Sequence, residues 1–237
     1  MTLRKNSTSQ ELEALTLFFG KTDSDFKVGV KNIEHWVEQW VKNEEDNSLY
    51  EKEDYVYDAW ECFKVYSKNY VKLTTDFLNT YKFNSILDYG AGLGLTTKLL
   101  ANNFPDKQVY YLNLRGSQWD FSSNYLSNTP NVKMIENITS LGDVDVVCAW
   151  EFFEHIKKPC EILDKILQLN PNILSIANSF GATAYGHYST YECGGELFTR
   201  KTVSKAFNKH LKLKGYKINP HTHQFWNNRP TLWEKIF

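Results

Sequence analysis

The sequence predicts a doubly wound α/β sheet of seven strands, preceded by a helical N-terminal cap, and three observations carry that expectation. From residue 83 onward, short apolar runs alternate with amphipathic stretches of helical period, the pattern of strands joined by crossover helices. The first of those runs leads into a glycine-rich turn that opens a helix. Before residue 83 the texture differs: large aromatic residues recur near helical spacing among acidic ones.

In the N-terminal part, IEHWVEQWV and YVYDAWECFKVYSKNYVKLTTDFL read as helices, with Tyr57, Trp60, Phe63 and Tyr70 on a recurring face. Residues 1–82 are therefore expected to form a helical cap, and 83–237 the α/β domain. SILDYG, QVYYLNL, VKMIENI, DVDVVCAW and NILSIANSF read as five parallel strands, because a strand buried on both faces is a near-continuous apolar run. TTKLLANNF, SQWDFSSNYLS and KPCEILDKILQL are the intervening helices. RKTVSKAFNKHLKLKGYKI holds one more amphipathic helix, and HTHQFWNN with TLWEKIF is expected to close the sheet as an antiparallel edge pair. The stretch from Phe180 to Glu196 reads as a loop.

Composition sets the class. At 237 residues with 42% hydrophobic and 15% aromatic content, the chain can build a large core. No apolar run approaches the ~20 residues needed to span a bilayer, and MTLRKNSTSQELEAL lacks a signal-peptide core, so a cytoplasmic protein is expected. Cys62, Cys148, Cys160 and Cys193 form no CxxC pair and are expected to be reduced, buried thiols. The net charge of −1 hides an uneven distribution. Residues 1–82 carry 11 basic against 15 acidic groups, 83–199 carry 7 against 12, and 200–237 carry 9 against 1. Lys201, Lys205, Lys209 and Lys212 form a stripe opposite Val203, Phe207 and Leu211, either a solvated helix face or a surface that meets phosphates.

The turn DYGAGLG runs from Asp88 to Gly94. Its glycines permit a sharp backbone turn and close approach of a ligand, and the helix that follows presents unpaired N–H groups. After an apolar strand and before a helix, this pattern points to a nucleotide-like ligand. The run GxGxG after an acidic residue differs from the dinucleotide fingerprint GxGxxG. Here Leu87 to Gly94 resembles the LDxGxGxG motif of the class I S-adenosylmethionine-dependent methyltransferases, a resemblance that extends from residue 83 to about 218. It implies a Rossmann-like sheet with S-adenosylmethionine bound by Asp88, Gly90, Ala91, Gly92 and Gly94. It also implies ribose contacts at the end of the second strand, where Asn113 replaces the family's carboxylate, and adenine contacts at Asn137 and Ile138. Asparagine keeps hydrogen-bonding capacity there without the charge-assisted component.

At the end of the fourth strand stands WEFFEHI. In a helical turn Glu151, Glu154 and His155 share one face, a grouping able to hold a divalent cation or simply to face solvent. The ExxEH pattern resembles the ubiquinone-pathway O-methyltransferases and the small-RNA 2′-O-methyltransferases. That resemblance implies that Glu151, Glu154 and His155 ligate a metal, Mg2+ being the candidate, with a second histidine after the fifth strand. His187 is the candidate for that place, with His221 and His223 as competitors. Glu151, His155 and His187 are thus the expected catalytic residues, either histidine being able to act as general base instead.

Three functional readings follow. The first is methylation of a small-molecule or sugar-type hydroxyl. RNA 2′-O-methylation is the second, supported by the ExxEH run and the basic C-terminal segment. The third is a non-catalytic binding protein that keeps the fold, for which Asn113 and Asn137 speak.

Overall fold

The computed structural model describes residues 10–25, 33–44, 48–220 and 230–236. Five parallel strands form as expected: β1 (Ser85–Tyr89), β2 (Gln108–Leu112), β3 (Val132–Ile135), β4 (Val146–Trp150) and β5 (Ile173–Ala177). β6 (Thr190–Cys193) and β7 (Glu196–Thr199) make a separate hairpin, and β8 (Tyr216–Ile218) and β9 (Thr231–Lys235) complete the main sheet. The seven strands of that sheet lie in the order β3-β2-β1-β4-β5-β9-β8, with β9 antiparallel to both neighbours.

Helices described on or near the sheet are α1 (Gln10–Phe19), α2 (Ile33–Lys42), α3 (Glu53–Leu78), α4 (Leu95–Asn103), α5 (Ser117–Tyr125), α6 (Pro159–Leu167) and α7 (Val203–Leu213). Strand alternation assigns them to two layers. Ile86, Val109, Val146 and Ile173 pack with Tyr70, Val71 and Leu78 of α3 and Leu100 of α4. Their neighbours Leu87, Val147 and Leu174 face the other way, onto Leu163 and Ile166 of α6 and Phe207 and Leu211 of α7. Every residue of β4 and β5 is buried. At roughly 1.5–3 kcal/mol for each large apolar side chain, these two central strands anchor the fold.

The long helix α3 is bolted to the sheet by polar contacts as well. Thr74 Oγ1 and Ser175 Oγ are hydrogen-bonded at 2.8 Å, and Trp150 Nε1 donates to Ser175 Oγ at 2.9 Å. Its first turns pack elsewhere, Val56, Tyr57 and Trp60 meeting Leu12 and Leu15 of α1 and Phe121 of α5. Among the described residues no helix is long and apolar enough to cross a membrane.

Three expectations need correction. The antiparallel edge pair is β8 with β9, so the strand partnering TLWEK is Tyr216–Ile218 rather than HTHQFWNN. Tyr216 is buried and its hydroxyl donates to Pro171 O, which fixes the short YKI segment to the sheet. Residues 221–229, with His221 and His223, lie outside the described residues. The stretch Phe180–Glu196 is not all loop, since Thr190–Cys193 enters the β6–β7 hairpin. Gly194 and Gly195, at φ of 64° and 81°, make its two-residue turn, the geometry of a type I′ hairpin. Finally, Cys160 at the start of α6 and Cys193 at the end of β6 are joined as a disulfide with their Cα atoms 5.1 Å apart, not held as free thiols. Cys148 is free and buried.

Candidate functional site

The glycine turn leaves β1 and is held open by its own backbone. Gly90 N and Ala91 N donate to Leu112 O at 2.9 and 3.0 Å, and Gly94 N donates to Ala91 O at 2.9 Å. The carbonyl of Gly92 accepts from the Tyr111 hydroxyl (2.8 Å), Ser122 Oγ (3.1 Å) and Asn113 Nδ2 (3.3 Å). Asn113 also donates to Gln118 Oε1 at 3.2 Å, so the replacement for the family's carboxylate stands beside the glycine turn. Gly94 caps α4 from the left-handed region at φ 69°, leaving the first N–H groups of that helix directed at the turn.

Asp88 is only 2% exposed, and its Oδ2 accepts from both Thr96 Oγ1 and Thr97 Oγ1 at 2.7 Å. Burial pushes its pKa up to about 6, against the lowering effect of the two hydroxyls. In this geometry the side chain ties β1 to the start of α4. Asn137 is exposed, and its Oδ1 accepts from Thr139 N at 3.0 Å as the cap of a 3-10 turn over Ile138–Ser140. Ile138 is partly buried against the sheet core.

After β4 the backbone reverses sharply. Glu151 takes φ 49°, while its N–H still donates to Ala177 O at 2.8 Å. Beyond Glu151 the structure has a single 3-10 turn, Phe153–His155, in place of a regular helical turn. Three of the four residues expected as metal ligands converge: one atom each of Glu154, His155 and His187 lies within 4.8 Å of the others. Glu151 is not in that triplet. Its Oε1 accepts from the Tyr70 hydroxyl at 2.9 Å and its Oε2 from Ser179 Oγ.

Each member of the triplet has a fixed partner. Glu154 is fully buried, with Oε1 accepting from Ser179 N at 2.8 Å; burial, with Glu151 nearby, pushes its pKa well above the usual carboxylate range. The His155 and His187 rings meet edge to face at 4.7 Å. His155 Nδ1 is hydrogen-bonded to the Tyr50 hydroxyl at 2.9 Å, and burial pulls the imidazole down to about 3, His187 adding to the effect. Burial lowers His187 too. Its Nδ1 lies 3.2 Å from Ala182 O. The backbone of Ser179 is a second hydrogen-bond partner of the ring, and as a neutral imidazole it carries its proton on one of the two nitrogens. Two neutral imidazoles and a carboxylate suit a divalent cation, whose charge would reverse the penalty on ionising Glu154.

The two halves of the site touch. A Cβ built on Gly90 would lie 2.3 Å from the Phe152 ring, so the glycine turn packs directly on the segment carrying Glu151 and Glu154. Several contributors escaped the sequence reading: Tyr50, Tyr70, Ser179 and Arg200 carry no motif, and each enters only through a distant partner.

Comparison with known proteins agrees with this architecture. The sequence model of a methyltransferase domain family matches residues 61–186. No curated protein matches the chain significantly. Among solved structures, the plantazolicin methyltransferase BpumL superposes with a TM-score of 0.56 at 14% identity, over 90% of this chain and 98% of that one. The small RNA methyltransferase HEN1 superposes with a TM-score of 0.53 at 16% identity over 72% of this chain. The match spans 25% of the HEN1 chain. The methyltransferase domain of a bacterial Hen1, CtHen1-CN, gives 0.52 at 13% identity, over 72% of this chain and 98% of that one. At these identities the likeness concerns the fold. With the family match over more than half its length, the sheet order and the glycine turn, the chain belongs to the class I S-adenosylmethionine-dependent methyltransferases.

Proposed function

We propose that the chain methylates a hydroxyl of a small-molecule or sugar-type acceptor, with a divalent cation such as Mg2+ held by Glu154, His155 and His187 and completed by Glu151. The observation carrying this reading is the convergence of Glu154, His155 and His187 within 4.8 Å, on a segment that packs against the glycine turn. S-adenosylmethionine is assigned to the turn of Gly90, Ala91, Gly92 and Gly94, with Asn113 toward the ribose and Asn137 and Ile138 toward the adenine. Asp88 acts there by holding the start of α4. When bound, the cation supplies Lewis acidity that lowers the pKa of the acceptor hydroxyl.

The chain's own residues do the rest. Tyr70 and Ser179 orient Glu151, and Ser179 N orients Glu154. The neutral His187 ring keeps one nitrogen unprotonated, able to ligate or to take the proton as oxygen attacks the methyl carbon and the sulfonium–methyl bond breaks. The described part of residues 1–82 serves as a cap over this site. Trp40 reaches His187 O, Glu44 Oε1 accepts from Ser189 N at 2.7 Å, and Tyr50 reaches His155.

Calorimetry with S-adenosylmethionine, with and without Mg2+, tests the reading. Binding of the cofactor with Mg2+ affinity lowered at least tenfold by Glu154→Gln or His187→Ala is expected. No cofactor binding at millimolar concentration would overturn it entirely. Cofactor binding and methyl transfer indifferent to Mg2+ would remove the cation and leave methyl transfer.

One observation favours RNA as the acceptor: Lys205, Lys209 and Lys212 are exposed along one flank of α7, with Lys201 exposed just before it. Steeply salt-dependent RNA binding that weakens in Lys205→Glu/Lys209→Glu would select that reading.

A further inference from the structure

Arg200 is the first residue of the strongly basic C-terminal segment, one of its 9 basic groups. The structure turns it inward. Directly after β7, its guanidinium reaches back into the 183–188 segment and donates in three directions. Nε donates to Tyr188 O at 2.7 Å, Nη2 to His187 O at 2.7 Å and Nη1 to Thr183 Oγ1 at 2.9 Å. His187 O receives a second donor, Trp40 Nε1, at 3.0 Å from α2. The carbonyl of one candidate catalytic residue is thus gripped from the β6–β7 hairpin side and from the N-terminal cap together.

We infer that Arg200, assisted by Trp40, is the positioning residue for His187: it fixes the 183–188 segment so that the imidazole stands against His155 with Nδ1 on Ala182 O. The inference rests on the proposed role of His187. Only a planar fork can serve three acceptors that lie in different directions; an ammonium on a flexible stem has no such fixed geometry. His187 itself is only 6% exposed, so a shift of its backbone has no slack in which to be absorbed. Trp40, 1% exposed, packs its ring on Tyr185 and Tyr188 at 5.2 Å, which places the second donor on the same segment.

The test compares Arg200→Lys and Trp40→Phe with the unmodified full chain, since Arg200→Lys keeps the charge and most of the length, and Trp40→Phe keeps an aromatic ring without the N–H donor. The first readout needs neither metal nor acceptor: 15N chemical shifts of the His187 ring at neutral pH, which report the nitrogen that carries the proton. The expected result is a shifted balance of the two ring tautomers in Arg200→Lys, and a smaller shift in Trp40→Phe. The second is methyl transfer, where kcat falls about tenfold or more in Arg200→Lys while the S-adenosylmethionine KM stays within about twofold. An unchanged His187 tautomer in Arg200→Lys overturns the inference, whatever the activity. A changed tautomer with unchanged kcat keeps Arg200 as the anchor of His187 and refutes instead the catalytic role given to His187.

Discussion

Gly186 offers the sharpest test of how the candidate site is held together. It sits at φ 76°, one residue before His187, and a Cβ there would lie 2.0 Å from the Tyr50 hydroxyl and 2.5 Å from His155 Nδ1. In Gly186→Ala the hydroxyl must withdraw by about 1.4 Å to reach an ordinary 3.4 Å contact, which breaks its 2.9 Å bond to His155. A non-glycine residue in the left-handed region costs about 1–2 kcal/mol. The lost hydrogen bond, with Nδ1 left short of a partner, costs about 1–2 kcal/mol more. A total of about 2–4 kcal/mol corresponds to a melting temperature about 5–15 °C lower for a domain of this size. Methyl transfer is expected to fall about tenfold or more, because the His155 ring loses the contact that orients it. Thermal melts and initial rates of Gly186→Ala, Tyr50→Phe and the double variant provide the assay. Since Tyr50→Phe removes the clashing oxygen, Gly186→Ala should cost at least about 1 kcal/mol less in that background. Wild-type stability and rate in Gly186→Ala, or strictly additive costs, would refute the packing described for Tyr50, Gly186 and His155.

Further outcomes follow from other contacts. Cys160 and Cys193 close a loop of sequence separation 33, so Cys160→Ser/Cys193→Ser should lose about 3–4 kcal/mol in urea melts, and reductant should no longer alter its stability. Asp88 titrates near 6 in the folded chain, above its unfolded value, so the folded state binds the extra proton between about pH 4 and 6. This group therefore lowers stability as pH rises through that window, by about 3 kcal/mol in all; Asp88→Asn should flatten that part of the stability–pH curve. His155, pulled down to about 3, should show a neutral ring in NMR spectra down to about pH 4.

The five parallel strands were legible because each is buried on both faces, and an apolar run of four or five residues between turn signals leaves few alternatives. The glycine turn was legible for a similar reason: three glycines between a strand and a helix have one economical conformation. WEFFEHI was legible in location but not in detail. The run suggested a helical turn with Glu151, Glu154 and His155 on one face, whereas the backbone reverses at Glu151, which stays beside Glu154 but outside the triplet formed with His155 and His187. The hairpin had a readable signal in the Gly194-Gly195 pair, masked by the length of the surrounding stretch. Tyr50, Arg200 and the Cys160–Cys193 bridge had none. Their partners lie 105, 13 and 33 residues away, and only the folded chain brings them together.

Glu151 is a position where stability and the proposed chemistry would select different residues. Its φ of 49° is nearly free for glycine and costly for a long side chain. The carboxylate recovers part of that cost through Tyr70 and Ser179, neither of which a glycine could engage. Random substitution screened for heat resistance alone would therefore drift toward Glu151→Gly, and screening for turnover would drift back. The sharp turn after β4 is thus a gauge of which property a population of variants has been kept for.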